Sequence, residues 1–387
     1  MVYKKHFTLF DTALLSLAVL ILILALFFLP KEAFRITKTT LAFSENWTCL
    51  ELDGSLDTLI MEFEEANPNV NIKLERVNPD IVSYDVPREN GDFQSGIENV
   101  HEIAAFINPM FYNIEMLAKI GLDRPPKTRE ELIAACKKLR DAGGERGISV
   151  SGMVFQDITP WFWAAGLRLE TDSVTGEMRV PWMSKPAFET FDFLKRLYDE
   201  GIVDETAFSR TESDKLLDFI EGKSAFFIGS TLNINLIADT APALKFSVTT
   251  IPMPANYVGK GAFNITAWEA GIPALSERKE TALVFLEFIQ RKRSEIAQAA
   301  YALPTVMSGA ILDWENGGGD ERALKARSLY EASDIISEKT IFTDTSAAAA
   351  VFKAEILLLW KGERTSKECA EAVYRLNAPT AAPNNEA

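Results

Sequence analysis

Residues 39–75 read TTLAFSENWTCLELDGSLDTLIMEFEEANPNVNIKLE, and this stretch decides the fold class. Its first six residues have the β-branched and aromatic composition of a strand. From Ser55 the apolar residues recur at the three- and four-residue spacing of a helix, which the Asn-Pro pair at 67–68 ends. The alternating segment 70–74 then predicts a second strand. A strand, a helix and a strand in succession predict a parallel sheet, so we expect an α/β fold.

Strand and helix signals continue to alternate beyond this stretch. A capping box at Thr128 and Glu131 opens one helix, whose apolar stripe includes Cys136 as a core residue. The pair Thr159-Pro160 combines an N-cap residue with a proline at the first helical position, and it opens a helix rich in aromatic residues. The last third of the chain reads as helical.

The amino-acid composition indicates a globular protein and argues against one class of partner. The chain has 387 residues, 47% of them apolar and 25% charged, which is typical of a globular protein with about two to three domains. Its formal net charge is −15. Binding to nucleic acid depends on clustered Lys and Arg, so this acidity argues against a nucleic-acid partner.

The motifs of enzymes and metalloproteins are missing from the sequence. It contains no nucleophile elbow, zinc-protease motif, P-loop or dinucleotide fingerprint. The three cysteines form no CxxC pair, and only two histidines are present, so no metal site is readable. We therefore expect a protein that is not an enzyme and has no cofactor. A hydrolase using a pair of carboxylates stays an alternative.

The N-terminal region carries a membrane signal. Residues 12–29 read TALLSLAVLILILALFFL, an uncharged run whose helix would be about 27 Å long and would match a bilayer's apolar thickness. The run has no small-residue cleavage pattern beside it, so an uncleaved anchor is favoured over a cleaved signal peptide or a buried core helix. We expect residues 1–11 in the cytoplasm, a linker at 30–38 and a disordered tail at 377–387.

Tryptophans stand at the ends of predicted elements, where open α/β sheets bind ligands. Trp47 follows the first strand, Trp161 and Trp163 open a helix, and Trp268 lies in a glycine-flanked segment. Aromatic faces can stack on sugar rings, while neighbouring amide and carboxylate groups such as Asn46 and Glu269 can bind the hydroxyls. Core packing of the same tryptophans is the competing interpretation.

Five segments in order resemble the extracellular solute-binding proteins of bacterial ABC transporters, in the sugar-binding group of the maltose-binding-protein type. They are LDTLIMEFEEANPNVNIKLE (56–75), FINPMFYNIEMLAKIGLDRPPKTREELIAACKKLRDAG (106–143), TPWFWAAG (159–166), LLDFIEGKSAFFIGST (216–231) and AGIPALSERKETALVFLEFI (270–289), the last followed by ALPTV (302–306). Together they cover most of the chain after residue 38. The resemblance implies a two-lobed periplasmic-binding-protein-like fold (type II), preceded here by one transmembrane helix.

The resemblance also implies boundaries and a function. The first lobe would comprise residues 39–107 and about 262–305, and the second lobe 108–261 and about 306–376. The lobes would close on a sugar and then dock on the permease of an ABC importer. The cleft would use Trp161 and Trp163, together with Trp47, Trp268 and Ser230, which match ligand-facing positions. The lobes would lie on the periplasmic side of the cytoplasmic membrane.

Three departures from the family pattern bear on this expectation. Most relatives are lipid-anchored or free, whereas this chain has an apolar helix. The stretch 79–101 is shorter than usual, which trims the first lobe, and the helix at 346–356 lacks an aromatic residue that some relatives place over the sugar. A degenerate relative that acts as a sensor or structural partner, without transport, is therefore the alternative hypothesis.

Overall fold

The computed structural model describes residues 38–45, 47, 54–86, 96–144, 146–151, 157–171, 176, 178–300, 321–336 and 345–376. The expected anchor at 12–29, Asn46 and the expected tail at 377–387 lie outside these ranges. Within them, no helix combines the length and the apolar character that crossing a bilayer requires.

The described residues form strands and helices that alternate along much of the chain. The strands are β1 (Thr39–Ser44), β2 (Val70–Leu74), β3 (Ile81–Val86), β4 (Ile97–Ile107), β5 (Met110–Asn113), β6 (Arg146–Ser149), β7 (Glu170–Thr171), β8 (Met178–Arg179), β9 (Ser224–Ile228), β10 (Phe246–Thr249), β11 (Ala262–Pro273) and β12 (Asp334–Ile336). The helices are α1 (Ser55–Ala66), α2 (Ile114–Lys119), α3 (Arg129–Asp141), α4 (Thr159–Ala164), α5 (Lys185–Asp199), α6 (Glu212–Ile220), α7 (Leu232–Thr240), α8 (Lys279–Ala299), α9 (Glu321–Ala332), α10 (Thr345–Trp360) and α11 (Ser366–Leu376). A 3₁₀ helix spans Glu205–Ser209.

The first sheet has the strand order β12-β11-β3-β1-β2, and β4 also pairs with β11. The predicted parallel pair is confirmed, because β1 and β2 run parallel with Leu41 opposite Ile72. By contrast, β11 is antiparallel to both β3 and β4. Helices α1 and α8 cover one face of this sheet, where the Phe285 ring meets Phe43 and Phe63 at centroid distances of 5.4 and 4.7 Å.

The second sheet has the strand order β10-β5-β9-β6. Strands β6 and β9 are parallel, while β5 is antiparallel to β9 and β10. Apolar side chains are buried on both faces. Phe226 belongs to the core that includes α3, α4, α5 and α10, whereas Phe227 belongs to a separate cluster with Phe219 of α6 and Phe246. Covering both faces explains why the five residues of β9 are all buried.

Each sheet with its helices forms one lobe of a two-lobed α/β fold. The chain enters the second lobe at Asn108-Pro109, between β4 and β5, and returns in the segment 250–261 between β10 and β11. Strand β12 lies in a region predicted for the second lobe, yet it pairs with β11 of the first sheet, where the Asp334 amide donates to the Gly261 carbonyl over 2.9 Å. The junction between the lobes therefore combines residues from both.

Candidate functional site

Trp47 and Trp268 lie against each other in the first lobe. Their rings stack with centroids 5.5 Å apart and planes inclined by 25°. The edges of Phe43 and Phe106 complete the enclosure, at 5.5 Å from Trp47 and 4.8 Å from Trp268. Both tryptophans are almost fully buried. The structure thus brings two predicted site residues together, but it places them inside the core of the first lobe.

Trp161 and Trp163 belong to α4, a six-residue helix whose residues are all buried. The Trp161 ring packs on Phe193 at 5.1 Å, and Trp163 packs on Trp182 at 5.8 Å. Three consecutive aromatic residues project in different directions from so short a helix. Such a helix can bury all of them only when other elements surround it, as α3 and α5 do here.

Sugar stacking was the expected role of these four tryptophans, with core packing as the competing interpretation, and the structure covers all four rings with other side chains. The sequence could not distinguish the two interpretations, because position at the end of an element says nothing about what covers the ring. Three of the indole N–H groups, those of Trp47, Trp163 and Trp268, are nevertheless buried with no acceptor among the residues described. A buried donor without an acceptor is costly, so these N–H groups suit a partner that brings one. Their assignment to a ligand stays a prediction.

The predicted polar site residues are more accessible. Ser230 is half-buried in the loop between β9 and α7, where its hydroxyl accepts a hydrogen bond from the Leu232 amide at 3.3 Å. The same loop approaches the first lobe, since the Thr231 amide donates to the Ile107 carbonyl at 3.0 Å and Leu232 packs on the first-lobe core. Glu269 is half-buried on β11, opposite Glu102 of β4. Asn46 lies outside the described residues.

A buried charge cluster near α4 was not found from the sequence. The Lys215 ammonium lies 2.5 Å from Asp157 and 2.7 Å from Glu212, and Asp157 also accepts a hydrogen bond from the Ser151 amide at 2.7 Å. Burial raises the pKa of Asp157 to about 7, against the attraction of the ammonium. Burial lowers the pKa of Lys215 most strongly, but the attraction of Asp157 and Glu212 outweighs it and leaves that pKa raised.

The cluster holds the start of α4 against α6, and no apolar stripe in the sequence marks the face of α6 that carries it. Lys215, Asp218 and Phe219 are the buried positions of α6, at the i, i+3, i+4 spacing of a helix face that packs inward. A lysine buried on such a face indicates a buried partner of opposite charge. Because Lys215 and Asp157 are both enclosed, the pair orients α4 and does not face a substrate.

Another buried charge contacts α4 nearer its end. The Arg129 guanidinium donates to the Trp161 carbonyl at 2.6 Å and to the Thr190 hydroxyl at 3.1 Å, and it lies 4.6 Å from the centroid of the Phe193 ring. Burial lowers the pKa of Arg129 to about 10, which still leaves it charged at neutral pH. This contact joins α3 to the tryptophan-bearing helix.

The described residues show neither a reactive thiol nor a cluster of side chains that could bind a metal ion. Cys136 and Cys369 are buried and free, and the prediction that Cys136 is a core residue is confirmed. Burial raises the pKa of each thiol to about 12, so both stay protonated and unreactive at neutral pH. In the same part of the chain, no group of three or more His, Cys, Asp or Glu side chains is arranged to hold a metal ion.

Comparison with protein families gives one match. A family model described as bacterial extracellular solute-binding protein matches residues 77–296. Among curated sequences, a binding protein of Brucella abortus (strain 2308) is 28% identical over 231 residues, and a binding protein of Brucella suis biovar 1 (strain 1330) gives the same figures. These matches cover 58% of this chain and 54% of each relative, so the chain spans about half the length of the curated relatives it matches.

Solved structures match over a larger share of the chain. Maltose-bound MalE3 of T. maritima superposes with a TM-score of 0.68 at 17% identity, covering 87% of this chain and 98% of the other. A solute-binding protein of Thermotoga lettingae bound to alpha-D-tagatose gives 0.66 at 20%, covering 88% and 99%. The GacH receptor of Streptomyces glaucescens, studied with acarbose, gives 0.67 at 16%, covering 87% and 98%. At these identities the likeness shows a common fold.

Proposed function

Because the chain belongs to the bacterial extracellular solute-binding protein family, we propose that it captures a sugar or oligosaccharide between its two lobes and delivers it to the permease of an ABC importer. The observation that carries the proposal is the two-lobed fold. This fold is similar over 87–88% of the chain to proteins solved with maltose and with tagatose. The match to the family, over residues 77–296, spans segments of both lobes.

The chemistry of the predicted site residues fits a neutral, hydroxyl-rich ligand. The indole N–H groups of Trp47, Trp163 and Trp268 are donors that lack an acceptor in the described residues, and sugar hydroxyls can accept from them. Glu269 and Ser230 are half-buried and offer acceptors to the ligand's own hydroxyl groups. Because these tryptophans are enclosed within the cores of their own lobes, a sugar would reach the donors only after the side chains around them rearranged.

Tethering is the second part of the proposal. Residues 12–29 would hold the chain in the cytoplasmic membrane as a single-pass anchor, with both lobes on the periplasmic side. A tether raises the effective concentration of a binding protein at its permease, which favours transfer of the ligand. Protease added to intact spheroplasts should digest the lobes, whereas complete protection of the lobes would contradict this placement.

A ligand screen tests the proposed function. We would titrate the full chain in detergent with maltose, acarbose, tagatose and xylose-based oligosaccharides, following tryptophan fluorescence and the melting temperature. A sugar that binds only the native state increases the free energy of unfolding by about 2.7 kcal/mol at a hundred times its Kd, and the melting temperature rises as a result. The matched variant is Ser230→Ala, which removes the hydroxyl that the proposal offers to the ligand and should weaken the response. No response to any sugar would contradict the proposal.

The burial of the four predicted tryptophans favours one second candidate, a sensor or structural partner that binds no transported ligand. Such a protein would keep its lobes in a single arrangement. Small-angle scattering separates the candidates, since a sugar-dependent decrease in the radius of gyration excludes the second one. An unchanged radius with every sugar in the screen favours it.

A further inference from the structure

The C-terminal end of helix α4 receives hydrogen bonds from side chains as well as from the backbone amides that follow it. A helix of six residues is too short to be stable alone, and its last carbonyls accept hydrogen bonds from the amides of residues 165–167 just beyond its end. Two guanidinium groups contribute donors. Arg129 donates to the Trp161 carbonyl at 2.6 Å, and Arg168 donates to the Trp163 carbonyl at 2.7 Å. The two arginines thus donate in the same way to two carbonyls of α4 that lie two residues apart.

The two arginines differ in their other partners. Arg129 also contacts Thr190 and the Phe193 ring, which both belong to α5 of the second lobe. Arg168 also donates from Nε to the Asp334 carboxylate at 3.1 Å, and its second terminal nitrogen lies 3.0 Å from the same oxygen. Arg168 is therefore bonded at once to α4 and to the first residue of β12.

Asp334 lies at the junction of the lobes. It stands opposite Ala262 in the parallel pairing of β12 with β11, and its amide donates to Gly261, the last residue of the returning segment. Strand β11 continues from there through the first sheet. A shift of the first lobe relative to the second would therefore displace the Asp334 carboxylate relative to α4.

Both ends of α4 contact this junction. At its start, Asn264 of β11 donates to the Thr159 hydroxyl in a buried hydrogen bond of 2.8 Å. Just after its end, Gly166 adopts φ +90° and lies under the Tyr257 ring of the returning segment, with no space for a Cβ. Arg168 follows two residues later. The helix that bears Trp161 and Trp163 thus contacts the segments that connect the two lobes, near both of its ends.

We propose that Arg168 is a positioning residue that couples the arrangement of the β11–β12 junction to α4, and that Asp334 acts on α4 through it. The orientation of Trp161 and Trp163 then follows the relative position of the lobes. The proposal rests on the proposed function only in treating α4 as part of the sugar site. The contacts themselves can be tested without any sugar.

Hydrogen exchange measured by mass spectrometry on the full, ligand-free chain in detergent provides the test. The reporters are the amides of residues 165–167, which donate to carbonyls of α4. Arg168→Gln and Asp334→Asn should each speed their exchange about two- to fivefold, the range for losing a partly exposed ion pair. The double variant should exchange no faster than Arg168→Gln alone. The amides of β5 and β9 serve as an internal control and should keep their wild-type exchange rates. A general loss of stability would instead speed exchange in these strands as well.

A matched control separates coupling from general loss of charge. Arg327 pairs with Glu331 at 2.9 Å, and its side chain is 26% exposed against 25% for Arg168. Arg327→Gln should leave exchange at residues 165–167 unchanged. The proposal is overturned if Asp334→Asn leaves these amides at wild-type rates, if the two substitutions add in the double variant, or if Arg327→Gln speeds exchange equally. Because no sugar is present, each result is independent of the ligand screen.

Discussion

The stacked pair Trp47 and Trp268 permits a quantitative test of where the predicted site residues lie. Trp268 is 1% exposed, and it contacts Trp47 and Phe106 at centroid distances of 5.5 and 4.8 Å. Replacing a fully enclosed tryptophan by alanine removes its buried area and leaves a cavity, which costs about 3–5 kcal/mol. Trp268→Ala should therefore destabilise the first lobe by about 3–5 kcal/mol. Trp268→Phe should cost less because it keeps an aromatic ring.

A double-mutant cycle isolates the stack itself. The two indoles should couple by about 0.5–1.5 kcal/mol, because aromatic pairs contribute that much beyond their buried area. The double variant of Trp47→Ala and Trp268→Ala should thus lose less stability than the sum of the single variants. Trp161→Ala is the matched control, because Trp161 belongs to a separate core and should be additive with Trp268→Ala within about 0.5 kcal/mol.

Urea unfolding followed by circular dichroism measures these values, with the midpoint and slope fitted for every variant. A cost below about 1 kcal/mol for Trp268→Ala would refute the burial argument, since it would mean that the ring lies open to solvent. Equal coupling of Trp268 to Trp47 and to Trp161 would refute the stack, because in the described part of the chain Trp268 stacks on Trp47 and has no ring contact with Trp161. The first result would favour the sugar-stacking role that the sequence suggested for these tryptophans.

Three other substitutions test the electrostatics and backbone around α3 and α4. Lys215→Met leaves Asp157 buried without its cation and should cost about 3–5 kcal/mol in urea unfolding at pH 8, so a loss below about 1 kcal/mol would count against the ion pair. Arg124 makes a bidentate contact with Glu131 at 2.7 and 2.9 Å, and this contact lowers the pKa of Glu131 to about 2. The ion pair therefore stabilises the folded state fully above pH 4.5, the ordinary pKa of a glutamate, and this stabilisation is lost as the pH falls through about 2. NMR titration should show this low pKa and its return towards 4.5 in Arg124→Ala, and an unchanged pKa in that variant would disprove the cause. Gly166→Ala should cost at least about 1 kcal/mol by thermal unfolding, because φ is +90° and a Cβ would meet an aromatic ring, whereas a neutral effect would exclude that geometry.

The fold could be predicted from local patterns because each pattern reflects one physical constraint. The stripe of Leu56, Leu59 and Phe63 predicts a helix with one buried face, and these three residues are the buried ones of α1. The Asn-Pro stop and the alternation of 70–74 then predict the strand that pairs with β1. The two-lobed arrangement came from the order of family-like segments, since no single pattern determines how distant sheets are arranged.

The candidate site was harder to predict, because a site depends on what surrounds each residue in space. Trp47 follows a strand whether its ring faces a ligand or packs on Trp268, 221 positions later in the chain. The ion pair between Arg168 and Asp334 is separated by 166 positions, so no local pattern could suggest it. The pair of Lys215 and Asp157 was missed as well, because two of the three buried residues of α6 are charged and no apolar stripe marks that face.

Calorimetric titration of the full chain in detergent with maltose, acarbose and tagatose tests sugar capture most directly. We predict a saturable heat of binding for at least one sugar, with one site per chain and a negative heat-capacity change as the lobes close and bury apolar surface. Tryptophan fluorescence should change at the same stoichiometry. A folded protein that gives no heat with any of these sugars, or with longer oligosaccharides, would contradict the proposal that this chain captures sugars.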